Sequence, residues 1–159
     1  MECFSKVKVI SVGGFTMNSS PIHDQEVKVK VATGEEFWVF DSTLKMKKEM
    51  IGKEKKILIG TTNYWGHYKV EKSEEKIGIK EMRPAPNTGE LLLVGEVKNI
   101  EEKLDNEINP YIMSLDVGFG TILMWVGASD PDFIKRIKKG DIVKVKTGRL
   151  DLEKVLEDN

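Results

Sequence analysis

The side chains in this chain best suited to chemistry are rings and lysines. In Gln25–Ser42, QEVKVKVATGEEFWVFDS, Val27, Val29 and Val31 alternate with Lys28 and Lys30, and Phe37 and Val39 alternate with Trp38 and Phe40. That is the period of two expected of half-buried strands, and Thr33-Gly34 supplies the turn between them. If the valines, Phe37 and Val39 face a core, Lys28, Lys30, Trp38 and Phe40 share the opposite face. Bases stack on rings while ammonium groups meet phosphates, so such a face suits a single-stranded nucleic acid. The alternative is that a loop or a neighbouring domain covers Trp38 and Phe40. Either way, an apolar patch of this size marks a contact surface.

A second aromatic stretch, Asn63–Lys69 (NYWGHYK), gathers three rings, an imidazole and a lysine. It reads as a stacking clamp, or as a turn whose rings cover the end of a barrel. The long segment Gly13–Asp24 carries Phe15, Met17 and His23, and long loops on small folds are often functional. Six lysines between Lys45 and Lys56 outnumber Glu49 and Glu54. They form a positive patch able to steer a polyanion, or an ordinary solvated face.

Catalytic patterns are scarce. His23, His67 and Cys3 lack zinc-site spacing. The chain has neither a GxxxxGK[ST] phosphate loop nor a GxSxG elbow. Asp130 and Asp132 flank Pro131 as they would at a helix start. No enzyme activity, cofactor or metal is expected.

Forty per cent of the residues are apolar, enough for a packed core, and 32% are charged, mostly Lys and Glu, a usage that resembles thermophile proteins. The net charge of −1 conceals an asymmetry: residues 1–86 carry fifteen basic and twelve acidic side chains, residues 87–159 ten and fourteen. Any nucleic-acid site is therefore local and belongs to the first half. No apolar run is long enough to cross a membrane, and the start, MECFSKVKVI, has no signal-peptide layout. Cys3 is the only cysteine, which excludes an internal disulfide and points to a cytoplasmic protein.

The elements that must position these residues run in order. KVKVISV is a first strand, and the hairpin Gln25–Ser42 follows. Asp41, Ser42 or Thr43 caps a short helix, Leu44–Gly52. Lys55–Thr62 is a fourth strand, and NYWGHYKVEK a turn and a fifth. Glu75–Lys80 continues the pairing or edges the barrel. Met82–Glu90, with two prolines and a glycine, reads as a linker. The order then restarts: a strand Leu91–Ile100, a hairpin Tyr111–Ser129, a helix from Pro131 to Gly140 with Asp130 as cap, and two closing strands broken at Thr147-Gly148. The halves overlay with a shift of about 86 positions, a sign of an internal repeat.

This order, and the segment 137–152, IKKGDIVKVKTGRLDL, resembles the OB-fold of single-stranded DNA-binding proteins of the replication protein A type. The resemblance implies an all-β fold: two small five-stranded Greek-key barrels in tandem, each with a short helix between strands three and four. It places the first barrel in residues 1–81, a linker at 82–90 and the second barrel in 91–159. By the same resemblance single-stranded DNA or RNA is the partner. Its contacts are Lys28, Lys30, Trp38 and Phe40 on the sheet, Phe15 and Asn18 in the loop between strands one and two, and Asn63, Tyr64, Trp65, His67 and Lys69 between strands four and five. The second barrel departs from this pattern. Ile112, Ser114 and Asp116 offer no lysine, and Glu101, Glu102, Asp105 and Glu107 would repel phosphate. It is expected to pack on the first barrel or to bind a protein partner, and Trp125 fits either role. A protein-interaction adaptor is the alternative function.

Overall fold

The computed structural model describes residues 4–14, 24–62, 70–81, 91–103, 110–127 and 132–156. Among the described residues eleven strands make one continuous sheet. In the first half they are β1 (Ser5–Gly14), β2 (Gln25–Val31), β3 (Glu36–Asp41), β4 (Glu54–Thr62), β5 (Glu71–Lys72) and β6 (Gly78–Glu81). The second half adds β7 (Leu91–Glu102), β8 (Tyr111–Asp116), β9 (Thr121–Val126), β10 (Ile142–Thr147) and β11 (Asp151–Val155). No helix among the described residues is long and apolar enough to cross a membrane.

Five strands close into a barrel in the order β1-β2-β3-β11-β4, with β1 returning to β4. A bulge between Val9 and Ser11 lets β1 curl so that its two ends serve different neighbours. Val7, Val9, Val27, Val29, Val39, Ile57 and Ile59 point inward and are buried. The alternation legible in the hairpin is thus the barrel wall, apolar inside and charged or aromatic outside.

The closing strand comes from the far end of the chain. Two barrels, each completed by its own fifth strand, were expected. Instead β11 lies between β3 and β4, parallel to β3 at Asp151–Phe40 and antiparallel to β4 from Asp151–Gly60 to Val155–Ile57. The Phe40 amide donates to the Leu150 carbonyl at 2.8 Å, and the Leu156 amide to the Lys56 carbonyl at 2.9 Å. In the other direction, strands of the first half meet both edges of the β9-β8-β7-β10 sheet. The end of β4 pairs in parallel with β9, and β5 pairs with β10. The strands cross at two buried threonines. The Thr61 hydroxyl lies 2.6 Å and the Thr147 hydroxyl 3.3 Å from the Arg149 carbonyl, and the two hydroxyls are hydrogen-bonded to each other. Both side chains are buried, Thr61 completely, so without this arrangement each would strand a hydroxyl away from water.

Both expected helices shrink to single turns. Leu44–Gly52 keeps only a 3-10 turn at Lys48–Met50, and the second keeps only α1 at Phe133–Arg136. The cause in the first case is Asp41. Its buried carboxylate accepts the amides of Lys45 at 3.0 Å and Met46 at 2.8 Å, and the Gln25 side-chain amide at 2.8 Å. Leu44 is driven to φ 55, outside the helical region, and Met46 is inserted into the core with 1% exposure. The proposed cap residues Asp130 and Pro131 of the second helix, and the segment Met82–Glu90, lie outside the described residues.

If β11 closes the first barrel, Leu152→Ala should cost about 2–4 kcal/mol in denaturant unfolding. Hydrogen exchange should speed up at Phe40 in β3 before it does in β7 or β8. Acceleration confined to β7–β10 would assign the strand to its own half.

Candidate nucleic-acid interface

The β2–β3 hairpin turns at Gly34, whose φ of 100° is a conformation that glycine adopts without strain. Its register sets Lys28 opposite Trp38, Lys30 opposite Glu36 and Glu26 opposite Phe40. The expected division of faces holds: Val27, Val29, Val31, Phe37 and Val39 are buried, while Lys28, Trp38 and Phe40 are half-buried and Lys30 is exposed. Trp38 and Phe40 are neither fully open nor sealed, and a cation attends each ring. The Lys28 ammonium lies 5.8 Å from the Trp38 ring centre and 3.8 Å from the Glu36 carboxylate. The Arg149 guanidinium lies 4.3 Å from the Phe40 ring centre, and its Nε forms an ion pair with the Asp151 carboxylate at 2.7 Å. Attraction of a cation to a ring face is worth about 0.5–2 kcal/mol, more as water is excluded.

Arg149 is the residue that the sequence analysis missed. It sits in the link between β10 and β11, its carbonyl fixed by Thr61, and reaches the hairpin only because β11 crosses to the first barrel. One sequence signal was present. Arginine occurs at three positions against twenty-two lysines, and Arg is the better side chain for stacking on a ring while binding a carboxylate.

Glu26 was missed too. It is 4% exposed, and among the described residues its Oε2 has no hydrogen-bond partner. Burial pushes its pKa up to about 7, Arg149 pulls it back, and Asp24 adds to the rise. Burial also raises Asp151, against the pull of Arg149. It raises Glu153 as well, where the charge of Asp151 adds to the effect. The lysines and rings therefore share the barrel wall with carboxylates that are reluctant to ionise.

Asn63, Tyr64, Trp65, His67 and Lys69 lie outside the described residues, as do Phe15, Met17, Asn18 and His23. Two lysines of the basic run after β3 are engaged locally. Lys45 meets the Thr43 hydroxyl, and Lys47 donates to the Leu44 carbonyl at 2.8 Å. On the second half, Trp125 is half-buried at the junction with β4. A Cβ on Gly60 would come within 2.7 Å of the Trp125 ring and 2.8 Å of the Glu153 carboxylate. Glycine at position 60 is what lets both side chains lie against β4. Among the described residues no three His, Cys, Asp or Glu side chains gather as a metal site would require. An open depression lined by Val70, Glu71, Lys72, Arg136 and Ile137 brings together one carboxylate and two cations.

A comparison with protein-family models finds no match, and a search of curated proteins finds no relative.

The raised Glu26 has a consequence for stability. The folded state keeps this proton up to about pH 7, whereas the unfolded chain releases it near 4.5. Its contribution is complete below the unfolded value, declines as pH rises between the two, and is gone above the folded value. Unfolding free energy should therefore fall by about 3 kcal/mol from this group between acid and mildly alkaline solution. Glu26→Gln should remove that slope and stabilise the protein above neutrality. A wild-type stability that is flat or rises over this range would contradict the burial of an unpartnered carboxylate.

Proposed function

We propose that the chain is a single-stranded nucleic-acid-binding protein without catalytic activity, and that the outer face of the β2–β3 hairpin is its binding surface. The reading is carried by two adjacent cation–ring pairs, Lys28 with Trp38 and Arg149 with Phe40, on one wall of a closed barrel. Each ring offers a flat face to a base, and each cation can turn from its ring to a phosphate. Lys30 extends the line of positive charge along β2. Asn63, Tyr64, Trp65, His67 and Lys69 follow β4 in the chain and belong to the proposed surface through the family resemblance.

The same proposal takes the closed barrel as OB-like and the two halves as related. Support comes from repeated bonding. The Val9 amide donates to Lys53 and the Gly52 amide to the Val9 carbonyl; the Val97 amide donates to Asp141 and the Gly140 amide to the Val97 carbonyl. Each set sits at a bulge in the long first strand of its half. With acids on β7 and no lysine on the outer face of β8, the second half serves as a packing partner or a protein-binding surface. The protein is taken to work in the cytoplasm.

Binding should be tolerant of sequence in most positions and should weaken with salt, because phosphate contacts release counterions. Titration of tryptophan fluorescence with oligo-dT and oligo-U at low and moderate salt tests this, with saturable, salt-sensitive quenching expected. Trp38→Ala should weaken binding by about 5- to 100-fold, the loss of one stacked base, while leaving the barrel folded. Lys28→Glu combined with Lys30→Glu should flatten the logarithmic salt slope by about 1.4. Quenching by neither strand at low salt would overturn the proposal in favour of a protein-interaction adaptor.

A further inference from the structure

Glu26 stands directly across the β2–β3 ladder from Phe40, at the cross-strand separation of about 4.5–5.5 Å between Cβ atoms. Its carboxylate is removed from water, yet one oxygen accepts nothing among the described residues. A buried acceptor left without a donor is costly, and such an atom in a folded protein calls for an explanation. Arg149, whose charge acts on Glu26, is already committed to the Phe40 ring and to Asp151. A donor supplied by a ligand would complete the site.

We infer that Glu26 is a base-reading residue, and that it selects guanine over thymine or uracil in a strand whose base stacks on Phe40. The inference rests on the nucleic-acid reading above. A base that takes the place of the Arg149 guanidinium on Phe40 extends its edge over the neighbouring strand, where Glu26 lies. Guanine presents two adjacent donors there, N1–H and the N2 amino group, which match the two oxygens of a carboxylate. Adenine and cytosine present an amino group beside an acceptor nitrogen. Thymine and uracil present one N–H between two carbonyl oxygens, which would face the carboxylate oxygens. The released guanidinium is then free to meet a phosphate, for which its fork geometry is suited. Glu26 must be ionised to accept twice. The charged groups facing it are Arg149, which favours ionisation, and Asp24, which opposes it, while Asp151 holds part of the Arg149 charge.

The test uses the full chain and labelled oligo-dT strands of about eight nucleotides, unmodified or with one central dG or deoxyinosine. Affinities are measured by anisotropy. At about pH 8 the dG strand should bind about tenfold more tightly than oligo-dT, the value of one paired contact to a base edge. Deoxyinosine, which lacks the N2 amino group, should fall between them. Glu26→Gln should bind oligo-dT and the dG strand within about twofold of each other. The wild-type preference should also fade below about pH 6, where Glu26 holds its proton. That arm needs no variant, so it decides the matter even if the substitution disturbs folding. Equal wild-type affinities for dG and dT strands at pH 8, or a preference that survives both acid and Glu26→Gln, would overturn the role of Glu26. Absence of saturable binding to every strand would instead overturn the nucleic-acid reading itself.

Discussion

The structure depends on one strand crossing. At Thr61 and Thr147 the chain's last segment leaves its own half and enters the gap between β3 and β4. A four-stranded β1-β2-β3 and β4 arrangement would leave two open edges inside a small fold, and open edges invite pairing with other chains. Filling the gap with β11 abolishes them. Because the inserted strand carries Leu152 inward and Asp151 outward, closure also completes the core and builds the outer wall. The carbonyl of Arg149, held by Thr61, fixes where the link between β10 and β11 passes. That position is what sets the Arg149 guanidinium over Phe40.

The electrostatics of the outer wall follow from the same crossing. Phe40 and Trp38 alone would be an apolar stripe on a charged barrel. The link into β11 sets the Arg149 guanidinium over Phe40, and the first residue of β11, Asp151, pairs with it. One guanidinium cannot fully serve Asp151 and Glu26 together. Asp151 receives the close ion pair, Glu26 receives only a longer-range attraction, and desolvation dominates the latter. Burying a carboxylate without a hydrogen bond to each oxygen normally opposes folding.

What was legible in the sequence was local. The division of Gln25–Ser42 into two faces follows from strict alternation, and it held from Val27 to Phe40 because period-two patterning is set by the pleat itself; Glu26, buried on the outer face, departs from it. The mostly-β character and the strand order up to Thr62 were legible for the same reason. The helix over Leu44–Gly52 was not, because one buried carboxylate, Asp41, bonds the amides of Lys45 and Met46 and competes with helical pairing. The fate of β11 was not legible either. Its pattern, Leu152 inward between polar neighbours, is equally compatible with either half, and the choice between two similar edges is made by contacts far apart in sequence. Arg149 and Glu26 were missed as a direct result: neither is notable until β11 is placed beside β3.

A barrel closed by the far end of its own chain ties the candidate surface to the fold of the whole protein. The pairing of Asp151 with Phe40 joins segments separated by most of the sequence, and such pairing carries a large loop-closure entropy. Without it Phe40 would lack its cation, Glu26 would lack the attraction of Arg149, and the β3 edge would be open. The hairpin pattern read from Gln25–Ser42 is thus complete as a local structure but incomplete as a surface. Two of the groups that define its chemistry, Arg149 and Asp151, arrive with the last strand. The second half, acidic and without lysines on its outer β8 face, therefore contributes to the candidate surface not through its own wall but through the strand it surrenders.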